Sequence, residues 1–251
     1  MTAVLQVGDW SVTTDDLVPL LVSYDLIPQI LYERMLDQAT ESITCSAEEI
    51  NDSIQRFQQR WNLTSEAGLN LWRSSYGLSQ EQLEHLVTRK LKREKLKQMM
   101  WERSLESYFL KRKDELDAVI YSLIRVRDKE MAQELYFRLQ EGEQSFVDLA
   151  RMYSAGIESN TGGFLGPVEM GELPPNLIEC LRASQPGEIQ FPITIGEWQV
   201  IVRLEKLIPA QLDDDMRQRL LQEKFENWFQ QQLERLQHRE KIWLGLSTAI
   251  D

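Results

Sequence analysis

Histidine and cysteine are almost missing from this 251-residue chain, which has two of each. Cys45 and Cys180 fall in different expected elements and have no metal-ligand neighbour, so they read as free thiols of a reducing compartment. His85 lies in a helical stretch among Leu83, Leu86 and Val87, and His238 in a polar stretch near the C-terminus; both read as packing or surface residues. Neither a metal nor a cofactor is expected. No apolar run approaches the roughly 18 residues of a membrane span. The opening Met-Thr-Ala-Val-Leu-Gln-Val-Gly-Asp-Trp has no basic stretch followed by an apolar core, so no secretory signal is visible. These absences give the expectation of a cytoplasmic protein. Positive charge is short as well, with 28 Lys and Arg against 40 Asp and Glu, a net −12 that argues against nucleic-acid binding by the chain as a whole. What is present suffices for a sizeable core, since 42% of the residues are apolar, and the length fits one or two domains.

The first part of the chain reads as helices. Val4–Val7, Gly8-Asp9 and Trp10–Val12 predict a small hairpin. Thr14 with Asp15 and Asp16 opens a helix that places Leu17, Leu20, Leu21 and Tyr24 on one side. Pro28 starts another, running through Leu31, Met35 and Ala39. Ser46-Ala-Glu-Glu49 is a capping box, and the helix behind it spaces Ile50, Ile54, Phe57 and Trp61 as one buried stripe. Glu66 to Tyr76 reads as a short helix ended by Gly77. Ser79-Gln-Glu-Gln82 is a second capping box, ahead of Leu83, Leu86, Val87, Leu91 and Leu96. At the other end of the chain, Leu212, Met216, Leu220, Phe225, Phe229, Leu233 and Leu236 form a stripe that must be buried, against the N-terminal helices or against a second copy. Asp213-Asp-Asp215 reads as the charge that steadies the start of that helix rather than as a metal site.

Charge is unevenly shared. Residues 88–113 hold ten Lys or Arg against three Glu, whereas residues 117–207 hold eight basic against fourteen acidic residues. The basic strip reads as a solvated helix face, as a docking strip for an acidic partner or an anionic membrane surface, or as a contact steadying the acidic segment.

The segment 119–207 changes period. Val119-Ile-Tyr-Ser-Leu-Ile-Arg-Val126 is β-branched and aromatic; Met131, Leu135 and Leu139 then recur at helical spacing before Gly142. Ser145–Ser154 predicts a short helix burying Phe146, Leu149, Ala150 and Tyr153. Gly162-Gly-Phe-Leu-Gly166, Leu173-Pro-Pro-Asn-Leu-Ile-Glu-Cys-Leu181, Pro186-Gly-Glu-Ile-Gln-Phe-Pro192 and the strand Gln199–Glu205 follow in order.

These elements, in this order, resemble the parvulin-type prolyl isomerase domain, over about a third of the chain. The resemblance implies strand, helices, strand, helix and two strands, with the Gly-Gly-x-Leu-Gly turn supporting a substrate groove. It also implies prolyl isomerisation. An X-Pro amide rotates over a barrier of roughly 18–20 kcal/mol although its isomers differ by only about 0.5–1 kcal/mol. No bond is broken, so an apolar pocket favouring the twisted amide is enough. Family members usually carry a histidine on the first strand, Asp or Cys after the second helix, Met and Phe in the proline pocket, and a histidine on the last strand. Position by position these fall on Leu123, on Ala155 or Gly156, on Leu173 and Leu177, and on Val200, or on Gln199 if the last strand is shifted by one residue. No polar member survives. Two readings stay open: a slow isomerase working by desolvation and shape, or a peptide-binding or structural module that has kept the fold. Cys180 matches the helix after Pro174-Pro175 rather than the loop after Ser154 and reads as core.

The N-terminal succession, with its opening hairpin and the stretches "CSAEEINDSIQRFQQRWNL" and "GLSQEQLEHLVTRKLKREKLKQ", resembles the helical domain of SurA-type chaperones over about 110 residues. Those relatives work outside the cytoplasm, and in them the last helix returns to the N-terminal ones. The expected fold class is therefore α+β: a SurA-like helical frame built from N-terminal helices plus the C-terminal helix, with an inserted parvulin-like (FKBP-like) α/β domain. The expected boundaries are 1–116, 117–208 and 209–251. The resemblance implies binding of unfolded or extended polypeptide, with a non-catalytic adaptor presenting a leader peptide to a processing or export machine as the other functional reading.

Overall fold

A hairpin of β1 (Ala3–Val7) and β2 (Trp10–Thr13) opens the computed structural model, which describes residues 3–7, 9–237, 241 and 244. His238 lies outside the described residues. Helix α1 (Thr14–Ser23) begins one residue earlier than its sequence cap suggests: the Thr13 backbone N–H and hydroxyl both donate to the Asp16 carboxylate, at 3.0 and 2.6 Å. Thr13 is still extended as the last strand residue, so it and not Thr14 is the half-in residue a cap requires. Helices α2 (Ile27–Ala39), α3 (Ala47–Arg60), α4 (Glu66–Ser75) and α5 (Gln80–Leu116) follow.

Both capping boxes form. Glu49 accepts from the Ser46 N–H at 2.7 Å while the Ser46 hydroxyl accepts from Glu49 at 3.2 Å, and Gln82 and Ser79 exchange the equivalent bonds at 2.8 and 3.1 Å. Helix α4 ends at Gly77, whose φ of +63° is the left-handed stop expected there. Neither glycine nor proline occurs between Gly77 and Gly142, and α5 accordingly runs uninterrupted for 37 residues.

The chain forms two compact units, residues 1–103 with 218–251, and residues 104–217. The divisions fall inside α5 and inside the last helix, α9 (Asp214–Glu234), rather than at the sequence boundaries 116/117 and 208/209. In the first unit the α9 stripe is buried on the N-terminal helices: Leu36, Ile43, Leu96, Phe225, Phe229 and Leu233 form one cluster, with Tyr32 edge-on to Phe229 at 4.5 Å. Asp213 caps α9 by accepting from the Met216 N–H at 2.9 Å. One expected stripe is not buried. On α3, Ile50, Ile54 and Phe57 are half-buried and Trp61 is 51% exposed, because α4 covers the helix only through an aromatic row in which Phe57 meets Trp72 at 4.9 Å and Trp72 meets Tyr76 at 4.6 Å. Much of the basic strip serves this unit internally. Arg89 binds Glu33 and Asp37, Arg93 binds Glu33, Lys95 binds Glu49, and the buried Lys97 meets Glu94 and Gln222.

The second unit is a four-stranded antiparallel sheet in the order β4-β3-β6-β5, from β3 (Ala118–Val126), β4 (Phe164–Glu169), β5 (Ile193–Ile195) and β6 (Trp198–Ile208). Side chains alternate across a strand, so each apolar run feeds two cores. Ile124, Val126 and Ile201 pack under α6 (Lys129–Gln140) and α7 (Phe146–Tyr153), where Leu135, Leu149 and Ala150 are fully buried. Val119, Tyr121, Leu123, Val200, Val202 and Leu204 face α8 (Pro175–Ala183) on the other side. Asp117 clamps the unit: its carboxylate binds Lys113 at 2.6 Å and accepts from the Ala210 N–H at 2.7 Å, and its carbonyl accepts from Met170 at 2.8 Å.

Candidate functional site

Period-two alternation puts Tyr121, Leu123 and Arg125 of β3 on the sheet face that α8 covers. Leu123 pairs with Val202, and Arg125 pairs with Val200, so Leu123 and Val200 are diagonal neighbours. Leu177 of α8 and Leu173 just before it close over them, and all four belong to one apolar cluster. Leu123, Leu177 and Val200 are 8%, 3% and 3% exposed; Leu173, Leu165 and Trp198 are partly open around them. The turn beneath is glycine for a geometric reason. Gly163 has φ +91°, and a Cβ there would sit 3.0 Å from the Leu123 carbonyl oxygen and from the Phe146 ring, while the Leu123 N–H donates to the Gly163 carbonyl at 2.9 Å.

Ala155 and Gly156 lie at the edge of this face. Ala155 is exposed and donates its N–H to the Arg125 carbonyl at 3.0 Å. Gly156 packs against an ion pair between Arg125 and Glu158: a Cβ on Gly156 would meet Arg125 Nη2 at 1.8 Å and Glu158 Oε2 at 2.1 Å. Glu158 is 3% exposed, accepts from Arg125 Nη2 at 3.0 Å and from the Ser154 hydroxyl at 2.6 Å. Arg125 Nε lies 2.8 Å from Oε1 but off the hydrogen-bond axis, so the pair is held by one directed bond and by charge. Arg125 and Arg127 both lie over the Trp198 ring, at 5.7 and 5.0 Å. Gln199 is elsewhere: it pairs with Val126 on the opposite face and exchanges a hydrogen bond with Thr194 at 3.1 Å.

Four residues of this face escaped the sequence reading: Tyr121, Arg125, Glu158 and Trp198. Tyr121 and Arg125 carried a usable signal, since residues two apart from Leu123 on a strand share its face. Glu158 carried none, being one acid in a polar loop. Tyr121 is buried, its hydroxyl has no hydrogen-bond partner among the described residues, and burial, then the neighbouring Glu158 charge, push the phenol up. It is a neutral donor. The Cys180 thiol is likewise pushed up, first by burial, and packs against the same cluster as core. The arrangement offers an apolar wall, a neutral phenol and a cation locked by a buried carboxylate. It can strip water from an imide and grip a ring; it has no base poised to take a proton.

Residues 124–206 match the profile of the rotamase family, PPIC-type PPIase domain. The chain is 25% identical over 241 residues to the foldase protein PrsA of Halalkalibacterium halodurans, covering 88% of this chain and 71% of that protein. It is 32% identical over 114 residues to the chaperone SurA of Nitrosospira multiformis, a match spanning 43% of this chain and 26% of SurA. Among solved structures, PrsA from Bacillus cereus superimposes with a TM-score of 0.49 at 19% identity, over 92% of this chain and 88% of that one.

Proposed function

We propose that this chain, a parvulin-type prolyl isomerase domain set in a helical frame of the PrsA and SurA kind, is a foldase. In this reading the frame holds extended polypeptide, and the sheet-and-helix unit engages X-Pro segments with a site reduced to shape and desolvation. The observation that carries it is the convergence of Leu123, Leu173, Leu177 and Val200, from β3, α8 and its approach, and β6, into one apolar cluster, with Leu123 and Val200 where the resemblance would put histidines and Leu173 and Leu177 where it would put the proline pocket. Desolvation favours the twisted amide, whose partial charges are smaller than those of the planar one, and each tenfold of rate needs about 1.4 kcal/mol off the barrier. A site of this kind supplies one or two such steps. The two unpaired thiols support a reducing, cytoplasmic setting as part of the same reading.

The test is NMR exchange between cis and trans forms of an X-Pro peptide, with protein at substrate-like concentration. The expected result is exchange accelerated by about ten- to a hundredfold; exchange at the uncatalysed rate removes the enzymatic part. A second reading, a non-catalytic peptide-binding adaptor, is favoured by the burial of Leu123, Leu177 and Val200, which leaves little open floor for a ring. An adaptor binds proline-free and proline-containing peptides alike.

A further inference from the structure

The helical frame contains a groove that the prolyl-isomerase reading leaves unused. Helices α2, α3 and α5 enclose about 720 Å³, floored by Phe57, Leu86, Val87 and Leu91. Its lining is cationic in a chain of net charge −12. The two carboxylates that line it are already committed, Glu33 to Arg89 and Arg93, and Glu94 to Lys97. Arg56 and Arg60, one turn apart on α3, and Lys90 on α5 line it with no ion pair among the described residues. Arg56 and Arg60, four residues apart, repel each other weakly, and a carboxylate seated between them would relieve that repulsion.

We propose that this groove binds a polypeptide segment that alternates acidic and apolar residues, its apolar side chains on Phe57 and Leu91 and its carboxylates at Arg56, Arg60 and Lys90. The inference rests on the polypeptide-holding reading above and names the class of segment held. Charge complementarity selects the occupant. A nucleic acid brings the right sign but is repelled by the acidic remainder of the chain. A bilayer surface is too flat to reach the floor of a cleft, whereas a single extended chain or one helix face enters it. Arginine suits the task because its planar fork grips a carboxylate through two donors.

The experiment uses the full chain and three labelled, proline-free peptides of one apolar pattern, carrying Glu, Gln or Lys at the alternate positions, read by fluorescence anisotropy. The Glu peptide is expected to bind about tenfold more tightly than the Gln peptide at low salt, with the advantage fading near about 0.5 M salt as the Debye length shortens. The double variant Arg56→Glu, Arg60→Glu should erase the advantage, and Arg56→Gln, Arg60→Gln should reduce it, both with unchanged circular dichroism because these side chains are exposed. Equal binding of the Glu and Gln peptides, or an advantage indifferent to the variants, overturns the groove and leaves the foldase reading standing. Binding of phosphatidylserine vesicles without binding of the Glu peptide, or self-association abolished by the double variant, overturns it in favour of another occupant. If none of the three peptides binds, the groove and the polypeptide-holding reading fall together.

Discussion

The two units build their apolar cores on different plans. In residues 104–217 the sheet divides its buried side chains between two clusters, one on each face, and Leu123 and Val200 are nearly inaccessible. In the helical unit a single cluster forms among the described residues, where α9 packs on the N-terminal helices. Both units leave large apolar side chains in solvent, Val18, Val22 and Leu71 in the first and Met152, Ile157 and Phe191 in the second. Each unit buries one charge against a partly exposed partner. The sheet unit buries Glu158 against Arg125 and the frame buries Lys97 against Glu94, whereas the frame's ion pairs at Arg89 and Lys95 stay a quarter to a third exposed. An ion pair that loses its partner when buried leaves a stranded charge, while an exposed one returns to water at little cost.

The largest expected effect strikes that contrast at its buried end. Glu158→Ala should cost about 2–3 kcal/mol of stability in urea denaturation, below the full cost of a stranded charge because Arg125 is partly solvated. A loss under about 0.5 kcal/mol would mean that the pair behaves like the frame's surface pairs. Next comes Leu173→Ala. This side chain is partly open, so the change should weaken X-Pro peptide affinity by about tenfold, roughly 1.4 kcal/mol, while leaving the unfolding midpoint close to that of the parent. Loss of stability without loss of affinity would place Leu173 in the closed core instead.

Tyr121→Phe is predicted to change neutral-pH stability by less than about 0.5 kcal/mol, since the hydroxyl has no partner to lose. The difference should grow in alkali. The folded phenol titrates above its unfolded value, so its contribution is complete below the unfolded value near about pH 10 and is lost as pH rises through the folded one. The Phe variant should escape that loss, and parallel curves for the two proteins would show the ring to be solvated. The smallest effect lies in the frame. The hydrogen bond from Lys95, then that from the Ser46 N–H, hold the Glu49 carboxyl below the usual glutamate range. Its contribution is present above the unfolded glutamate value, about 4.3, and disappears as pH falls through the lower folded one. Helical signal should fray in that acid window, and Glu49→Gln should remove the pH dependence.

Much of this architecture was legible. The order of strands and helices from Val119 to Glu205, the capping boxes at Ser46 and Ser79, and the α9 stripe all follow from period and cap chemistry, which act locally. Polar substitutions carry no period. Glu158 owes its role to a loop that folds it under Arg125, and Gln199 was an alternative to Val200 only until strand register put it on the other face. The α3 stripe misled because spacing records which residues share a face and not whether a neighbour covers it; α4 brings the Trp72 ring to Phe57 yet leaves Trp61 half in solvent.

The most direct test of a site made of shape alone is methyl chemical-shift mapping on the full chain, comparing an X-Pro peptide with its X-Ala counterpart. The methyls of Leu123, Leu173, Leu177 and Val200 are expected to shift with the proline peptide and to stay still with the alanine one. Signals that stay still with both peptides, or move equally with both, would contradict it.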